Sequence, residues 1–397
     1  MLTLDKIYHA AFVLRDVARK TDLIEARELC KDSKIYLKTE NLQVTGSFKV
    51  RGAYYKISQL SAEEKEKGVI ACSAGNHAQG VALAAAKNNI PSLICIPDNA
   101  PISKVEATKA YGAQVELVAG AYDDAYAHAC KLQKEQGRTF IHPFDDENVI
   151  AGQGTIGLEI LDQLPDVDVV FVAIGGGGLA SGVAYAIKNL RPEVKIYGVQ
   201  AANAPSMLRS VEQGEPITLD SVNTFADGIA VKHPGDLTYE LVSKYLDGIV
   251  TVTEDEIACA VLALIEKQKM ITEGAGAVSV AAAMFNKVDI AGKKVACVLS
   301  GGNIDVNILS RVITRGLVMA GRNSTLTIRL IDKPGQLTAV SEIISRHGGN
   351  VIGVFHDRGD ANMAINGCYL KIAMETRDHE QVNEIRKALT EAGFVLV

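Results

Sequence analysis

The segment VVFVAIGGGGLASGVAYAI, residues 169–187, joins an apolar run to four consecutive glycines and an alanine-rich stretch. The apolar run predicts a β-strand buried on both faces, as in a parallel sheet. The residues after the glycines predict a helix, and a strand that leads through a glycine loop into a helix is a unit of an α/β fold. The segment is uncharged and long enough to span a membrane, but its glycines favour strand, loop and helix instead.

The same alternation extends from about residue 34 to residue 320 and predicts parallel sheets covered by helices. Short apolar runs rich in β-branched residues alternate there with helical patterns. The predicted strands are Ile35–Lys38, Val69–Cys72, Ser92–Ile96, Gln114–Val118, Val169–Ile174, Lys195–Gln200, Gly248–Val252 and Lys294–Leu299. The predicted helices are Val81–Lys87, Asp123–Glu135, Gln153–Leu164, Leu179–Asn189 and Asp255–Lys267.

A different pattern begins after Arg322 and continues to the last residue. It predicts the order βαββαβ, which is that of a ferredoxin-like domain. The predicted strands are Thr325–Ile331, Val351–His356, Cys368–Met374 and Phe394–Val397, the predicted helices are Gln336–His347 and Asp378–Ala392, and a loop is predicted at 359–362.

Composition and charge narrow the class of protein. The chain has 397 residues with a net charge of −6 and no basic run, so neither nucleic acid nor a membrane surface is an expected partner. The N-terminal residues carry charges throughout and do not form a signal peptide. Seven dispersed cysteines without CxxC spacing indicate reduced thiols rather than disulfides or a zinc site. We therefore expect a cytoplasmic protein without a metal.

Glycine accounts for 35 residues, and part of this glycine lies in three segments that each follow a predicted strand. They are residues 73–80 (SAGNHAQG), Gly175–Gly178 and residues 300–303 (SGGN). Ligands bind at the carboxyl ends of strands in open α/β sheets, and free N–H groups at a helix start attract anions. Three such loops in one chain favour anion binding over a role in tight turns alone.

Lys49 lies in the segment TGSFKVRGA, residues 45–53, soon after a predicted strand. A lysine combined with a phosphate loop and a carboxylate loop favours pyridoxal phosphate bound covalently to its amine. Two other classes stay open. An NAD-dependent oxidoreductase would use Gly175-x-Gly177-x-x-Ala180 as a dinucleotide loop, but the next strand ends in Gln200 instead of an acid. A non-catalytic amino-acid sensor would leave Lys49 unmodified.

Five separated motifs resemble those of threonine dehydratases, the threonine ammonia-lyases of the pyridoxal-phosphate-dependent tryptophan-synthase-β-like family (fold type II). The motifs lie within about residues 5–316 and are Ser47–Ala53, Ser73–His77, Gly175–Leu179, Glu273–Gly276 and Ser300–Asn303. The resemblance implies a large cofactor domain at 1–50 and 149–320, and a small domain at 51–148 that carries the Asn/carboxylate loop.

The resemblance also implies roles for individual residues. Lys49 would carry the cofactor and act as the catalytic base, Phe48 would lie against the cofactor ring, and Ser300 would face the pyridine nitrogen. Asn76 would bind the ring 3′-oxygen. The phosphate would be held by Gly175, Gly176, Gly177, Gly178 and Leu179, and the substrate carboxylate by Ser73, Ala74, Gly75, Asn76 and His77. We expect His77 to be positional rather than an acid or base.

The implied reaction is β-elimination, which converts L-threonine to 2-oxobutanoate and ammonia, and L-serine to pyruvate. A serine or threonine racemase, or a β-replacement synthase of the same fold, is the alternative. Related serine racemases have a second serine at the position of Ala74, which argues against racemisation here. They also place carboxylates for a divalent cation where this chain has Gln200, Ala204 and Ser206. A monovalent cation stays open.

The tail, residues 321–397, resembles an ACT-type regulatory domain. The resemblance implies control by an amino-acid effector, with isoleucine first and valine next, and a homo-oligomer such as a dimer or tetramer. The implied effector contacts are Asp332, Gly335, Gln336, Leu337 and Asn350. A tail that only adds oligomer interface is the alternative, and a role in isoleucine biosynthesis or in threonine catabolism is left open.

Overall fold

Three β-sheets form the framework of the computed structural model, which describes residues 1–359 and 364–397. Two sheets lie in a first unit, residues 1–309, and the third lies in a second unit, residues 310–397. Of the loop predicted at 359–362, only Gly359 is among the described residues. No helix in the described ranges is long and apolar enough to cross a membrane.

The elements of the first unit alternate as the sequence predicts. Its strands are β1 (Leu23–Glu25), β2 (Lys34–Lys38), β3 (Val69–Cys72), β4 (Ser92–Pro97), β5 (Gln114–Val118), β6 (Thr139–Phe140), β7 (Val169–Ala173), β8 (Lys195–Ala201), β9 (Gly248–Val252) and β10 (Lys294–Val298). Its helices are α1 (Leu4–Val13), α2 (Lys49–Ser58), α3 (Ala62–Lys67), α4 (Asn76–Lys87), α5 (Ile102–Ala110), α6 (Tyr122–Gln136), α7 (Glu147–Gln163), α8 (Gly178–Leu190), α9 (Ser206–Gln213), α10 (Asp236–Tyr245), α11 (Glu254–Ala263) and α12 (Gly274–Met284); α13 (Val306–Met319) runs from the first unit into the second.

The larger sheet has the order β1-β2-β10-β7-β8-β9 and the smaller one β5-β4-β3-β6. Every neighbouring pair is parallel except β1 with β2. All residues of the central strands β3 and β7 are buried, which explains their unbroken apolar sequences. The predicted α/β class is thus confirmed. The short strands β1 and β6 escaped prediction because three and two residues show no periodicity.

Two helices begin earlier than their sequences predict. Helix α4 begins at Asn76 rather than Val81, and α7 begins at Glu147 rather than Gln153. The Asp146 side chain caps α7 by accepting from the N–H groups of Asn148 and Val149. The segments missed by the prediction contain Gly80 and Gly152, which lower helix propensity, but close packing requires glycine there. A Cβ on Gly152 of α7, for example, would lie 2.6 Å from the Arg51 carbonyl oxygen on α2.

A buried group of charges joins the start of α2 to the larger sheet and to α7. The Arg51 guanidinium donates to both oxygens of Glu40, at 2.8 Å each, and to both oxygens of Glu159, at 2.6 and 3.0 Å. The amine of Lys38, on β2, also donates to Glu159, at 2.6 Å. Burial opposes the charge on Glu40, but the adjacent Arg51 holds the pKa of that carboxyl below its ordinary value. The two basic side chains of this group, Lys38 and Arg51, are thus paired with two acidic ones inside the protein.

The second unit confirms the predicted ferredoxin-like fold. It contains β11 (Asn323–Ile331), α14 (Gln336–Arg346), β12 (Asn350–Asp357), β13 (Gly367–Glu375), α15 (His379–Glu391) and β14 (Val395–Leu396). Its sheet is antiparallel with the order β12-β13-β11-β14. Alternate residues of β11 and β13 are buried and form one core with residues of α14 and α15.

The buried charge group predicts a large effect of a single substitution. Arg51→Ala should lower the free energy of unfolding by about 3–5 kcal/mol, because it leaves the buried carboxyl groups of Glu40 and Glu159 without the guanidinium that binds both. Arg27→Ala removes an exposed partner of Glu25 and should have no measurable effect. Urea unfolding compares the two variants. Equal stabilities would show that the buried group does not hold the structure together.

Candidate active site

One cavity of about 850 Å³ lies where several strands of the first unit end. Its wall contains residues that follow β3, β7 and β10, the three strands whose loops are rich in glycine. All of the predicted cofactor and substrate residues line it: Phe48, Lys49, Ser73, Ala74, Gly75, Asn76, His77, Gly175, Gly176, Gly177, Gly178, Leu179 and Ser300. The fold therefore brings together positions that are up to about 250 residues apart in the chain.

Lys49 is the first residue of α2, and its side chain enters the cavity wall. Its amine donates to the carbonyl oxygen of Pro143 at 2.9 Å and lies 5.3 Å from the centre of the Phe48 ring. Burial lowers the pKa of Lys49 to about 8, while the carboxyl of Glu273 acts in the opposite direction. The amine is therefore far easier to deprotonate than that of a surface lysine.

The backbone ties the lysine segment to the loop after β10. Ser47 forms a β-bridge with Gly301, and the Phe48 N–H donates to the Ser300 carbonyl oxygen at 3.1 Å. The Ser300 hydroxyl donates to the carbonyl oxygen of Ala275 at 3.1 Å. Lys49 and the neutral hydroxyl of Ser300 thus face one cavity from two adjoining backbone segments.

The four-glycine loop ends at the start of α8. Gly177 has φ +102°, a conformation that glycine adopts without strain, and the first intrahelical bond joins the Ser181 N–H to the Gly177 carbonyl oxygen at 2.8 Å. The first N–H groups of any helix lack an intrahelical acceptor and can bind an anion. A Cβ on Gly176 or Gly178 would collide with Phe144, at 2.4 and 2.9 Å. Phe144 therefore leaves no room for a side chain at either position.

Asn76 is held by hydrogen bonds on both sides of its amide group. Its Nδ2 donates to Glu273 Oε1 at 2.7 Å, and its Oδ1 accepts from Asn303 Nδ2 at 2.8 Å. Asn303 also donates to the Thr45 carbonyl oxygen at 2.7 Å. These bonds fix which end of the Asn76 amide is the donor and leave its second N–H for the cavity that it lines. We call Asn303, Asn76 and Glu273 the amide clamp.

Glu273 is the titratable member of the amide clamp. Burial, with a smaller effect of Asp227, raises the pKa of Glu273 to about 7, although Lys104, Asn76 and Lys49 favour its charge. The carboxyl is almost completely buried. Glu273 is thus a proton-binding group in the wall that also carries Lys49.

His77 lies in the loop Ser73–His77, which the sequence predicts to bind the substrate carboxylate, but it is not available as an acid or base. Its Nε2–H donates to the Ile141 carbonyl oxygen at 2.8 Å. Burial, together with the nearby Lys49, lowers the pKa of His77 to about 3, so the ring is neutral at physiological pH. Its hydrogen bond fixes the start of α4. In the same loop the Ser73 hydroxyl accepts from the Gly75 N–H at 3.1 Å.

Sequence reasoning missed several residues of this site. Pro143, Phe144 and Thr238 line it or support it; the Thr238 hydroxyl donates to the Gly176 carbonyl oxygen at 2.6 Å. Asn303 belongs to the motif Ser300–Asn303, but the sequence indicated no role for it. The segment around Phe144 shows no motif of its own, and its position follows from the turn held by His142 Nδ1, which accepts from the Asp145 N–H at 2.7 Å.

Gln200 occupies a position where racemase-like relatives were expected to have a carboxylate. Its amide nitrogen contacts the carbonyl oxygens of Ile174 and Ala204, at 3.4 and 3.3 Å, and its oxygen accepts from the Leu208 N–H at 2.9 Å. The side chain of Gln200 is therefore committed to the backbone.

In the second unit, a separate cavity of about 450 Å³ contains four of the five predicted effector contacts. Asp332, Gly335, Gln336 and Leu337 line it, at the turn that leads into α14. Asn350 instead lies at the start of β12, where its side chain donates to Glu375 at 2.9 Å.

The chemistry of the first cavity fits pyridoxal phosphate. A buried amine with a lowered pKa can form the covalent bond, and a helix start with free N–H groups can hold the phosphate. The oriented amide of Asn76 can donate to a ring oxygen. The Ser300 hydroxyl can donate to a ring nitrogen once its hydrogen turns away from the Ala275 carbonyl oxygen.

Comparison with known proteins agrees with this chemistry. Residues 14–301 match the family model described as pyridoxal-phosphate dependent enzyme. The chain is 51% identical to an L-threonine ammonia-lyase of Thermotoga maritima, over 99% of this chain and 98% of that protein. It is 50% identical to a catabolic L-threonine dehydratase of Escherichia coli, over 72% of this chain and 87% of that protein.

Comparison with solved structures finds threonine deaminases and related enzymes as well. Threonine deaminase isoform 2 from Solanum lycopersicum superposes with a TM-score of 0.75 at 38% identity, over 80% of this chain and 90% of that one. Maize serine racemase superposes with a TM-score of 0.75 at 35% identity, over 80% of this chain and 98% of that one. The chain therefore belongs to the pyridoxal-phosphate dependent enzymes, within the group that contains the threonine dehydratases.

Proposed function

We propose that the chain catalyses the pyridoxal-phosphate-dependent deamination of L-threonine to 2-oxobutanoate and ammonia, and of L-serine to pyruvate and ammonia. Water leaves in the β-elimination and is taken up again when the product hydrolyses and releases ammonia. One observation carries the proposal: Lys49, the glycine loop at α8, Asn76 and Ser300 line a single cavity together with the loop Ser73–His77. Relatives named L-threonine ammonia-lyase, at 51% and 45% identity over essentially the whole chain, favour threonine as the substrate.

The cofactor would be held by groups that are already oriented. The N–H groups of Gly175–Leu179 would bind its phosphate, Phe48 would lie against its ring, Asn76 would donate to its 3′-oxygen and Ser300 would face its pyridine nitrogen. When bound, the cofactor supplies an electron sink for the negative charge that is left at Cα of the substrate.

Lys49 is the proposed base that removes the Cα proton. A base must be neutral to accept a proton, and an amine with its ordinary pKa is almost fully charged at pH 7. Burial in the cavity wall lowers the pKa of Lys49 to about 8, which leaves a useful neutral fraction near neutrality. The amine's position on the first turn of α2 is fixed by the bridge between Ser47 and Gly301.

The loop Ser73–His77 is proposed to bind the substrate carboxylate. It leads into α4, whose first N–H groups are free to bind an anion. His77 would hold the loop in place through Ile141. Ala74 carries no hydroxyl that could protonate the opposite face of Cα, which favours elimination over racemisation.

Ser300 is proposed to favour elimination over reactions that need a long-lived negative charge. A carboxylate at this position would keep the pyridine nitrogen protonated and strengthen the electron sink. The neutral hydroxyl supports a weaker sink, so prompt departure of the β-hydroxyl is favoured.

For the second unit we propose amino-acid control through the cavity at Asp332, Gly335, Gln336 and Leu337, with isoleucine or valine as the effector. Apolar Leu330, Val354 and Leu370 also line this cavity, which suits an aliphatic side chain. We further propose a homo-oligomer, a dimer or tetramer, in the cytoplasm. All seven cysteines lie among the described residues and none of them forms a disulfide, in keeping with a reducing compartment. A monovalent cation is compatible with the proposal, and its requirement is tested by activity in different salts.

The function is tested with the purified chain, its cofactor and L-threonine. Ammonia and 2-oxobutanoate should appear in equal amounts, borohydride should fix the cofactor on the peptide that contains Lys49, and Lys49→Ala should abolish both results. The exposed Lys109→Ala should change neither. A colourless protein would overturn the proposal in favour of a sensor. D-allothreonine, the product of inversion at Cα of L-threonine, formed as fast as ammonia would overturn it in favour of a racemase.

The lowered pKa of Lys49 predicts its reactivity in the cofactor-free chain. An amine-directed reagent should modify Lys49 with a rate that rises through pH 8, because the neutral amine predominates only above its pKa of about 8. The exposed Lys195 is the comparison: its hydrogen bond to Asp247 raises its pKa, so its amine should become reactive only at higher pH. Peptide mass spectrometry after brief labelling measures both. A midpoint for Lys49 near that of Lys195 would contradict the proposed environment.

The amide clamp predicts a role for Asn303 in positioning the cofactor ring. Asn303→Ala removes the donor to Asn76 Oδ1, so the Asn76 amide can rotate while the phosphate loop stays intact. The cofactor should still bind, but its visible circular dichroism should weaken, and kcat should fall about 10- to 100-fold with little change in KM. Asn189→Ala, on the surface of α8, is the control. An unchanged dichroic band in Asn303→Ala would exclude the positioning role.

A further inference from the structure

Three side chains with metal-binding chemistry converge at one end of the sheet in the second unit. Asp332 directly follows β11, His356 lies on β12 and Cys368 lies on β13. Among the described residues they form a group whose ligand atoms all lie within 4.8 Å of one another. The antiparallel pairing explains the convergence, because Cys368 lies opposite Leu330 and His356 lies opposite Leu370.

One distance within this group already equals that between two ligands of a single metal ion. Asp332 Oδ1 and His356 Nε2 are 3.5 Å apart, which is longer than a normal hydrogen bond. Two ligands at about 2.0–2.2 Å from one tetrahedral zinc ion are roughly 3.3–3.6 Å apart. A sulfur at about 2.3 Å and a nitrogen at about 2.0 Å are roughly 3.5 Å apart in the same geometry. Since the ligand atoms all lie within 4.8 Å of one another, the group needs to contract by at most about 1.3 Å.

Arg358 sets the orientation of the Asp332 carboxylate. Its Nε lies 2.8 Å from Asp332 Oδ2, which leaves Oδ1 directed at His356. A partner that holds the second oxygen of a carboxylate ligand is a usual outer-shell contact in metal sites. If Cys368 bound as a thiolate, it would add a second negative charge to that of Asp332, and Arg358 offsets one of the two.

From this arrangement we propose that Asp332, His356 and Cys368 bind one divalent transition-metal ion of the zinc class. Thiolate and imidazole ligands select zinc or cobalt over magnesium or calcium. Three protein ligands leave a fourth position open, and all three line the cavity of about 450 Å³. Water or a donor atom of a small molecule in that cavity can complete the coordination.

The metal site is independent of the proposed reaction but not of the proposed effector site. Asp332 is a member of both, and a metal ion would fix the ends of β11, β12 and β13 around the shared cavity. Metal binding would thus be a second way to change the cavity where we propose that an amino-acid effector binds.

The test uses the full chain with its cofactor, freed of metal by a chelator and titrated with Co²⁺ and then with Zn²⁺. Co²⁺ should bind in a 1:1 ratio and give visible bands above 550 nm, outside the cofactor absorption, that Zn²⁺ displaces. Cys368→Ser and His356→Ala should each weaken Zn²⁺ binding at least about 100-fold, since ligands contribute no less than outer-shell groups. Cys30→Ser and His347→Ala, outside the group, should bind like the original chain.

A second measurement distinguishes loss of metal binding from loss of folding in the variants. Zn²⁺ should raise the Tm of the original chain and of both controls, and should leave the Tm of Cys368→Ser and His356→Ala unchanged. Metal binding that persists unchanged in these two variants, or the absence of the Co²⁺ bands in the original chain, would overturn the proposal.

Discussion

The buried pairing of Arg51 with Glu40 and Glu159 is the constraint on which the rest of the first unit depends. Arg51 lies on the first turn of α2, and its two carboxylate partners come from the turn after β2 and from α7. Because the guanidinium is planar and bonds both carboxylates through two nitrogen–oxygen contacts each, it fixes the angle of α2 as well as its position. The catalytic lysine that we propose lies two residues away on the same turn.

Contacts of the neighbouring backbone connect this first turn of α2 to the other parts of the site. The bridge between Ser47 and Gly301 places the loop after β10, and Asn303 of that loop orients Asn76 at the start of α4. Gly46 makes this contact feasible: it has φ +71°, and a Cβ there would lie 2.3 Å from Asn303 Oδ1. Elements from both sheets of the first unit are thereby held in register around one cavity.

The sequence predicted the strands, the fold class and the cavity-lining residues well, because buried parallel strands have unbroken apolar runs and glycine loops follow them directly. Contacts made only in three dimensions could not be predicted. The partners of Arg51, the role of Phe144 against Gly176, and the approach of Asp332, His356 and Cys368 all join residues without a local pattern. Helix starts were predicted late at α4 and α7, since tight packing there overrides the low helix propensity of glycine.

The contrast between Lys49 and Arg51 explains how one helical turn serves both structure and chemistry. Side chains two apart on a helix point in different directions. Arg51 points into the protein, where two carboxylates more than offset the cost of burial and raise its pKa. Lys49 points into the cavity, where burial outweighs the single opposing carboxyl of Glu273 and lowers its pKa to about 8. If Lys49 had partners like those of Arg51, it would stay charged and could not act as a base. The proposed role of Lys49 as a base therefore depends on its having no pair of adjacent carboxylates like that of Arg51.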